Sequence, residues 1–171
     1  MSKLRYNVAM TLDGFIADPD GGYDWIIMDP AIDFAALFRE FDTFVMGRKT
    51  FEVTAKTEFM SMLGGKDVIV FSRTTKASPH PGIRIVDADP ADTVRELKSK
   101  CGKDIWLFGG GEMFRTLADA GLVDTVEVAV IPVLLAEGLP VLPAGARITG
   151  MKLTSCEALP NSGIVMLRYA L

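Results

Sequence analysis

Short apolar runs alternate along the chain with segments whose apolar residues recur at helical spacing. Leu4–Met10 reads as a first strand. A turn follows at Asp13 and Gly14, and Phe15–Ala17 is a short extended piece. The stretch "DPDGGYDW" is polar and rich in Gly and Pro, a loop long enough to carry function. Asp33–Phe41 places Phe34, Leu37, Phe38 and Phe41 at helical spacing. Thr43–Met46 is a strand that ends at Gly47, and Thr50 to about Ala55 opens a short helix. "DVIVF" (Asp67–Phe71) is continuously apolar and β-branched, as in a strand buried on both faces. Ile83–Val86 is another strand. Pro90–Lys100 is a helix with Asp89 as N-cap and Pro90 at its first position. Ile105–Phe108 is a buried strand, Glu112–Ala120 a helix stopped by Gly121, and Thr125–Ile131 a strand. Lys152–Ala158 and Gly163–Ala170 form a closing antiparallel pair joined by "LPNSG".

Strands separated by helices require right-handed crossovers, hence an α/β domain with a mostly parallel sheet and antiparallel strands at its C-terminal end. The 171 residues fit one domain, 1–171, with no repeat or linker. Ligands bind outside the carboxyl ends of strands in such sheets. The residues just after each strand are therefore the informative ones.

Charge and composition narrow the chemistry. A net charge of −4 with both signs interspersed argues against a nucleic-acid surface. The longest apolar stretch, "VEVAVIPVLLA", holds Glu127 and Pro132 and is too short to span a bilayer. No signal-peptide pattern opens the chain. Cys101, at an expected helix end, and Cys156, in a late strand, allow one disulfide, but two scattered cysteines read more readily as reduced thiols of a cytoplasmic protein. The single histidine, His80, is flanked by prolines and reads as an exposed loop residue, which argues against triad and zinc chemistry; no metal is expected.

Three strand ends stand out: "GRKT" after Met46, "SRT" after Phe71 and "GGGE" after Phe108. A strand–glycine–helix junction exposes backbone amides where no Cβ blocks a phosphate. Equally, glycines after a strand permit close helix–strand packing. "GGGEMF" lacks the third glycine of G-x-G-x-x-G and is no P-loop. Taken together, two glycine-led helix starts with Arg48, Lys49 and Arg73 beside them suit a dinucleotide diphosphate and an additional ribose phosphate.

"VMGRKTFE", "VIVFSRT" and "IWLFGGGEMF", in this order and at these separations, resemble the dihydrofolate reductase-like fold. The nearer resemblance is to the RibD C-terminal domain family, the reductase half of riboflavin-biosynthesis deaminase–reductases, here free-standing. "YNVAMTLDGFIA" and "GLVDTVEVAVIPVLLAEGLPVL" are similar to that family's first and late strands, and the resemblance runs from about Lys3 to the C-terminus. It implies a three-layer αβα fold with NADPH as hydride donor. By motif position, Gly47, Arg48, Lys49 and Thr50 meet the phosphates from one side. Ser72 and Arg73 contact the adenosine end and its 2′-phosphate. Gly109, Gly110, Gly111, Glu112 and Met113 hold the pyrophosphate from the other side, and Ala9 and Ile16 lie against the nicotinamide. The implied reaction is that of 5-amino-6-(5-phosphoribosylamino)uracil reductase on a small heterocyclic substrate. The alternatives are a dihydrofolate- or pteridine-type reductase, or a nucleotide-binding module without catalysis. No H-x-E with P-C-x-x-C occurs, so zinc deamination is not expected. The family's glycine-rich turn after "PVLL" is replaced here by Ala136-Glu137-Gly138.

Hydride transfer to C=N or C=O leaves negative charge that a proton donor relieves. Asp13 and Asp33 are the candidate catalytic carboxylates. Asp13 also reads as a turn residue before Gly14, and Asp33 as the N-cap of the first helix. Asp24 lies beside Trp25, which could wall a planar substrate, while Phe38 and Phe114 read either as site walls or as plain core. The strand-rich apolar composition is compatible with a homodimer.

Overall fold

The structure, a computed structural model, describes residues 1–57, 59–78, 80–100 and 102–171. Cys101, expected at a helix end, and Pro79, one of the prolines beside His80, lie outside the described residues.

Local signals set most of the elements. The strands are β1 (Leu4–Thr11), β2 (Phe15–Ala17), β3 (Phe41–Gly47), β4 (Asp67–Phe71), β5 (Ile83–Val86), β6 (Asp104–Gly109), β7 (Thr125–Ile131), β8 (Leu139–Pro140), β9 (Lys152–Ala158) and β10 (Val165–Ala170). The helices are α1 (Phe34–Arg39), α2 (Arg48–Thr54), α3 (Phe59–Met62), α4 (Pro90–Ser99) and α5 (Gly111–Asp119). Asp89 caps α4 by accepting from the amides of Ala91 and Asp92, with Pro90 at the first position as expected. Gly121, at φ 67°, takes the chain out of α5 in the left-handed conformation.

Several boundaries shift by one or two residues from the sequence reading, and one segment and two short elements differ more. α1 stops at Arg39, so Phe41 starts β3 instead of ending the helix. The Lys66 ammonium donates to the carbonyls of Phe38 and Phe41 at 2.9 and 2.6 Å, satisfying acceptors at the helix exit. α3 and the two-residue β8 carry too few periodic residues to register as patterns.

Eight strands form one sheet in the order β5-β4-β3-β6-β1-β7-β10-β9. The first six run parallel; β10 is antiparallel to β7, and β9 to β10. A separate pair, β2 with β8, sits beside it. One face packs Leu4, Tyr6, Val45, Ile69, Ile105 and Leu107 under Val94 and Leu97 of α4 and Phe114 and Leu117 of α5. The opposite face is an aromatic core of Phe38, Phe41, Phe44, Phe51 and Trp106, covered by α1 and α2. A smaller third cluster, Ile131, Leu159 and Ile164, takes Trp25 and Ile32 from the loop before α1, with Ala9 and Ala129 of the sheet. The result is three layers, αβα.

At the amino ends of the strands the sheet buries charge. Arg5 is 5% exposed and Glu127 6%. Their side chains join through Nε–Oε1 and Nη2–Oε2 bonds at 2.7 and 2.8 Å. Glu40, Asp104 and Arg168 complete the network, and the guanidinium lies 4.5 Å from the Phe41 ring centroid.

Candidate active site

β1 and β6 pair only over Leu4–Tyr6 and Ile105–Leu107. On their other sides, β6 follows β3 as far as Met46 opposite Gly109, and β1 follows β7 as far as Thr11 opposite Ile131. The two central strands therefore part before their carboxyl ends, where the winding of the sheet reverses. That is where an open α/β sheet forms its ligand crevice.

The two glycine-led helix starts meet there. A methyl group on Gly47 would stand 3.9 Å from both Gly109 O and Met113 Cε. One on Gly109 would stand 3.9 Å from Thr50 Oγ1. One on Gly110 would lie 3.4 Å from Thr50 Oγ1 and 3.9 Å from Ile16 Cδ1. Gly47, Thr50, Gly109, Gly110, Met113 and Ile16 thus line one narrow space. Gly109 has φ 130°, and the Gly109–Gly110 peptide is cis. α1 and α4 are capped by aspartate side chains; α2 and α5 begin at Gly47 and Gly110 with no side-chain cap among the described residues. Their first-turn amides lack the side-chain acceptor that α1 and α4 have.

Gly111 behaves differently. It is buried, and a methyl there would meet Pro140 O at 2.8 Å and Val141 O at 3.1 Å. Its missing Cβ makes room for the 140–143 segment, which is the packing reading of the triple glycine. Gly109 and Gly110 border the crevice.

The cations of the three strand ends lie at the start of α2 and just after β4. Arg48 pairs with Glu52 at 2.7 Å on the exposed face of α2, while Lys49 and Arg73 are exposed. Ser72 is buried, and its hydroxyl accepts from the amides of Thr74 and Thr75 at 3.3 and 2.8 Å, shaping the turn that carries Arg73. Glu112 is exposed in the first turn of α5, and Met113 is half-buried. Ala9 is half-buried near the end of β1, opposite Ala129. His80, expected to be exposed, is half-buried with its ring edge-on to Phe51 of α2 at 6.2 Å. Phe38 and Phe114 are both core; Phe114 stacks on Tyr6 at 4.1 Å.

Both candidate carboxylates hold backbone. Asp13 Oδ1 accepts from the Thr11 hydroxyl at 2.6 Å, and Oδ2 accepts from the amides of Leu135 and Ala136 at 3.1 and 2.8 Å. The Thr11 hydroxyl is the largest cause; burial opposes it, and the amides of Ala136 and Leu135 add to it, so that the carboxyl stays below its ordinary value. The clamp holds Ala136 at φ 67°, a conformation usually left to glycine, at the place where the riboflavin-type turn is replaced. Asp33 caps α1 through Oδ1 to the Ala36 amide at 2.8 Å and is exposed.

Sequence reasoning passed over Thr11, buried and bonded to Asp13, and Asp29, only 3% exposed. Asp29 Oδ1 accepts from Ala31 at 2.8 Å, while Oδ2 and the indole Nε1 of Trp25 are buried without a hydrogen-bond partner. The Ser162 hydroxyl beside the Asp29 carboxylate, then the Ala31 amide, lower its pKa. The signal available in the sequence was the Asp29-Pro30 turn, which announces a loop and says nothing of burial.

The sheet order and the parted central strands form a dihydrofolate reductase-like fold. Within that class the chain belongs to the RibD C-terminal domain family, whose profile it matches over residues 2–165. It is 33% identical to the uncharacterized protein YyaP of Bacillus subtilis (strain 168), over 98% of this chain and 94% of that one. Its fold matches a Shewanella sp. PV-4 protein provisionally assigned to riboflavin biosynthesis, with TM-score 0.82, 24% identity, and 99% and 98% of the two chains covered. It also matches the deaminase/5-amino-6-(5-phosphoribosylamino)uracil reductase of Thermotoga maritima, at TM-score 0.71 and 18% identity, covering 99% of this chain and 56% of that one. Enterococcus faecalis dihydrofolate reductase, solved with NADP(H), matches at TM-score 0.73 and 18% identity over 98% and 95% of the two chains. Among the described residues no helix is long and apolar enough to cross a membrane.

Proposed function

We propose that this chain is an NADPH-dependent reductase that transfers a hydride to a small heterocyclic substrate. The observation that carries the reading is the approach of Gly47 and Thr50 to Gly109, Gly110 and Met113, leaving a backbone-lined space that a Cβ would narrow. The residues fit a dinucleotide. The first-turn amides of α5 face negative charge favourably. The Thr50 hydroxyl borders the same gap as a donor for a phosphate oxygen, and Arg48 and Lys49 supply positive charge. Ser72 holds the turn that presents Arg73 to the 2′-phosphate. NADPH, when bound, supplies the hydride. Ile16 and Ala9 provide an apolar wall that excludes water from the transfer.

Of the two carboxylates, Asp33 takes the proton-supplying role in this reading. Asp13 is disfavoured as a donor because its hydrogen bonds stabilise the ionised form; its task is to position the 134–136 loop. The reaction follows the chemistry named for the Thermotoga relative, reduction of a pyrimidine-linked acceptor. Dihydrofolate is the second reading, supported by the likeness to the Enterococcus enzyme. A homodimer belongs to the same proposal and is read by sedimentation velocity.

The test is NADPH oxidation over a panel of pyrimidine and pteridine acceptors, with wild type and Asp33→Asn. Asparagine keeps the helix cap, so a loss of kcat at unchanged melting temperature assigns Asp33 to the chemistry. Full activity in the variant moves proton supply to water. NADPH binding without oxidation of any acceptor would identify a nucleotide-binding module instead.

A further inference from the structure

We infer that the open sheet face of β9 and β10 is a dimer interface, closed in solution by the same face of a second copy of this chain. The inference rests on the homodimer included in the reading above and assigns its surface.

The strand register sorts the side chains, because residues directly opposite one another in adjacent strands share a face. Val126 and Val128 of β7 belong to the core under α4 and α5, and Val130 packs against it. Opposite these on β10 stand Tyr169, Leu167 and Val165. Opposite those on β9 stand Leu153, Cys156 and Ala158. The register shift between Arg168 and Tyr169 makes Thr154 the extra residue, so Cys156 returns to the face of Leu153. All six outer positions on this face are apolar or a thiol. The reverse face of β9 carries Lys152, Ser155 and Glu157, paired with Ala170, Arg168 and Met166. Such alternation belongs to a strand with one face covered. Yet among the described residues none of the six belongs to, or packs against, any of the three core clusters. Every residue of β9 is exposed, Leu153 to 50%. Met151 and Leu171, at the same end of the hairpin as Leu153, are exposed as well.

The surface area of the chain says how large the missing cover is. A compact monomer of 18.6 kDa exposes about 8,200 Å². This chain exposes 9399 Å². The excess of roughly 1,100 Å² is more than the 800 Å² or so that each partner buries in a standard interface. A second copy suits the face because the six residues carry no charge. A two-fold contact sets a patch against itself, where a charged patch would repel its own image. Two sheet faces of this kind pack about 10 Å apart with their side chains interdigitated. The edge of β9 is a poorer contact, since its bulge and the charges of Lys152 and Glu157 deter strand addition.

Sedimentation velocity reads the association, and NADPH titration of the same samples reads the coenzyme site. Wild type should sediment as a dimer at micromolar concentration. Leu153→Glu, which sets a charge inside the apolar contact, should weaken association at least about a hundredfold. Ser155→Glu puts the same charge two residues away on the reverse face, beside Arg168, and should leave the dimer intact. Both positions are exposed in the single chain, so both variants should melt cooperatively near wild type. A second readout needs no substitution. Cys156 is exposed in the single chain. Followed by peptide mapping, its thiol should react with a maleimide at least about tenfold faster below the dissociation concentration than above it, because the dimer denies access. A monomeric wild type, a dimer undisturbed by Leu153→Glu, or Cys156 labelling that ignores concentration overturns the inference. Dissociation by Ser155→Glu as well moves the contact to the strand edge and overturns it too. Failure to bind NADPH sinks the reductase reading and leaves this interface standing.

Discussion

The glycines at the starts of α2 and α5 do different jobs, and single methyl groups tell them apart. Gly47 has φ −80° and ψ 162°, open to any residue, and a Cβ there makes no contact closer than 3.9 Å. Gly47→Ala should therefore leave stability within about 0.5 kcal/mol, yet weaken NADPH binding by about tenfold or more by filling the space a diphosphate needs. Gly111→Ala should do the reverse. Its Cβ meets two backbone carbonyls that cannot rotate away, so the fold loses about 1–3 kcal/mol by overpacking. Chemical denaturation and coenzyme titration of the two variants check this. If Gly47→Ala binds NADPH normally, the glycine-lined space is not a diphosphate site. The sequence showed that glycines follow β6, but not which one faces a ligand. That depends on Pro140 and Val141, which are some thirty residues away.

Elements tell a similar story about what a sequence reveals. β2, β4, β5, β7 and β9 run over the residues their patterns indicate, because apolar or β-branched runs end at turn residues. α4 was legible because Asp89 and Pro90 carry their own start signal. The exit of α1 was not, since the carbonyls of Phe38 and Phe41 there are met by Lys66, which comes after β3 and α2 in the chain. The ion network at the foot of β1 was equally hidden. Arg5 interrupts an apolar run, and only the register of Arg5 beside Thr125 and Asn7 beside Glu127 brings the charges together. Burial alone raises the Glu127 carboxyl, but the hydrogen bonds and charge of Arg5, with Arg168 and Thr125, outweigh it and leave the pKa lowered. A lowered folded pKa means that the stabilisation is present above the ordinary value of 4.5 and is lost as pH falls through the folded value. The melting temperature should accordingly drop below pH 4.5, less steeply in Glu127→Gln. Arg5→Ala, which leaves a buried carboxylate short of its main partner, should cost about 3–5 kcal/mol at neutral pH. A loss under about 1 kcal/mol would mean that Arg168 alone compensates Glu127.

At the scale of the whole molecule, the crevice exists because the chain winds outward through β3, β4 and β5 and then returns to insert β6 between β3 and β1. Strand order of this kind is a property of the crossovers, so the sequence motifs could suggest three strand ends and not their adjacency. Adjacency has a thermodynamic consequence. α2, α5 and the β4 turn belong to different parts of the chain, and a ligand gripping all three binds only the folded state. At a hundred times its dissociation constant such a ligand adds about 2.7 kcal/mol to stability. For a domain of this size that is a rise of about 5–10 °C in melting temperature. NADPH should produce this shift, and NADH a smaller one, because only NADPH carries the phosphate that Arg73 is proposed to meet. In Arg73→Ala the two coenzymes should become nearly equivalent while the remaining shift persists, since the diphosphate contacts are untouched. Differential scanning fluorimetry with both coenzymes on both proteins reads all four values. An undiminished preference for NADPH in the variant would assign the 2′-phosphate to another cation, with Arg48 and Lys49 the next to replace. No shift with either coenzyme in wild type would remove the ground for the redox role.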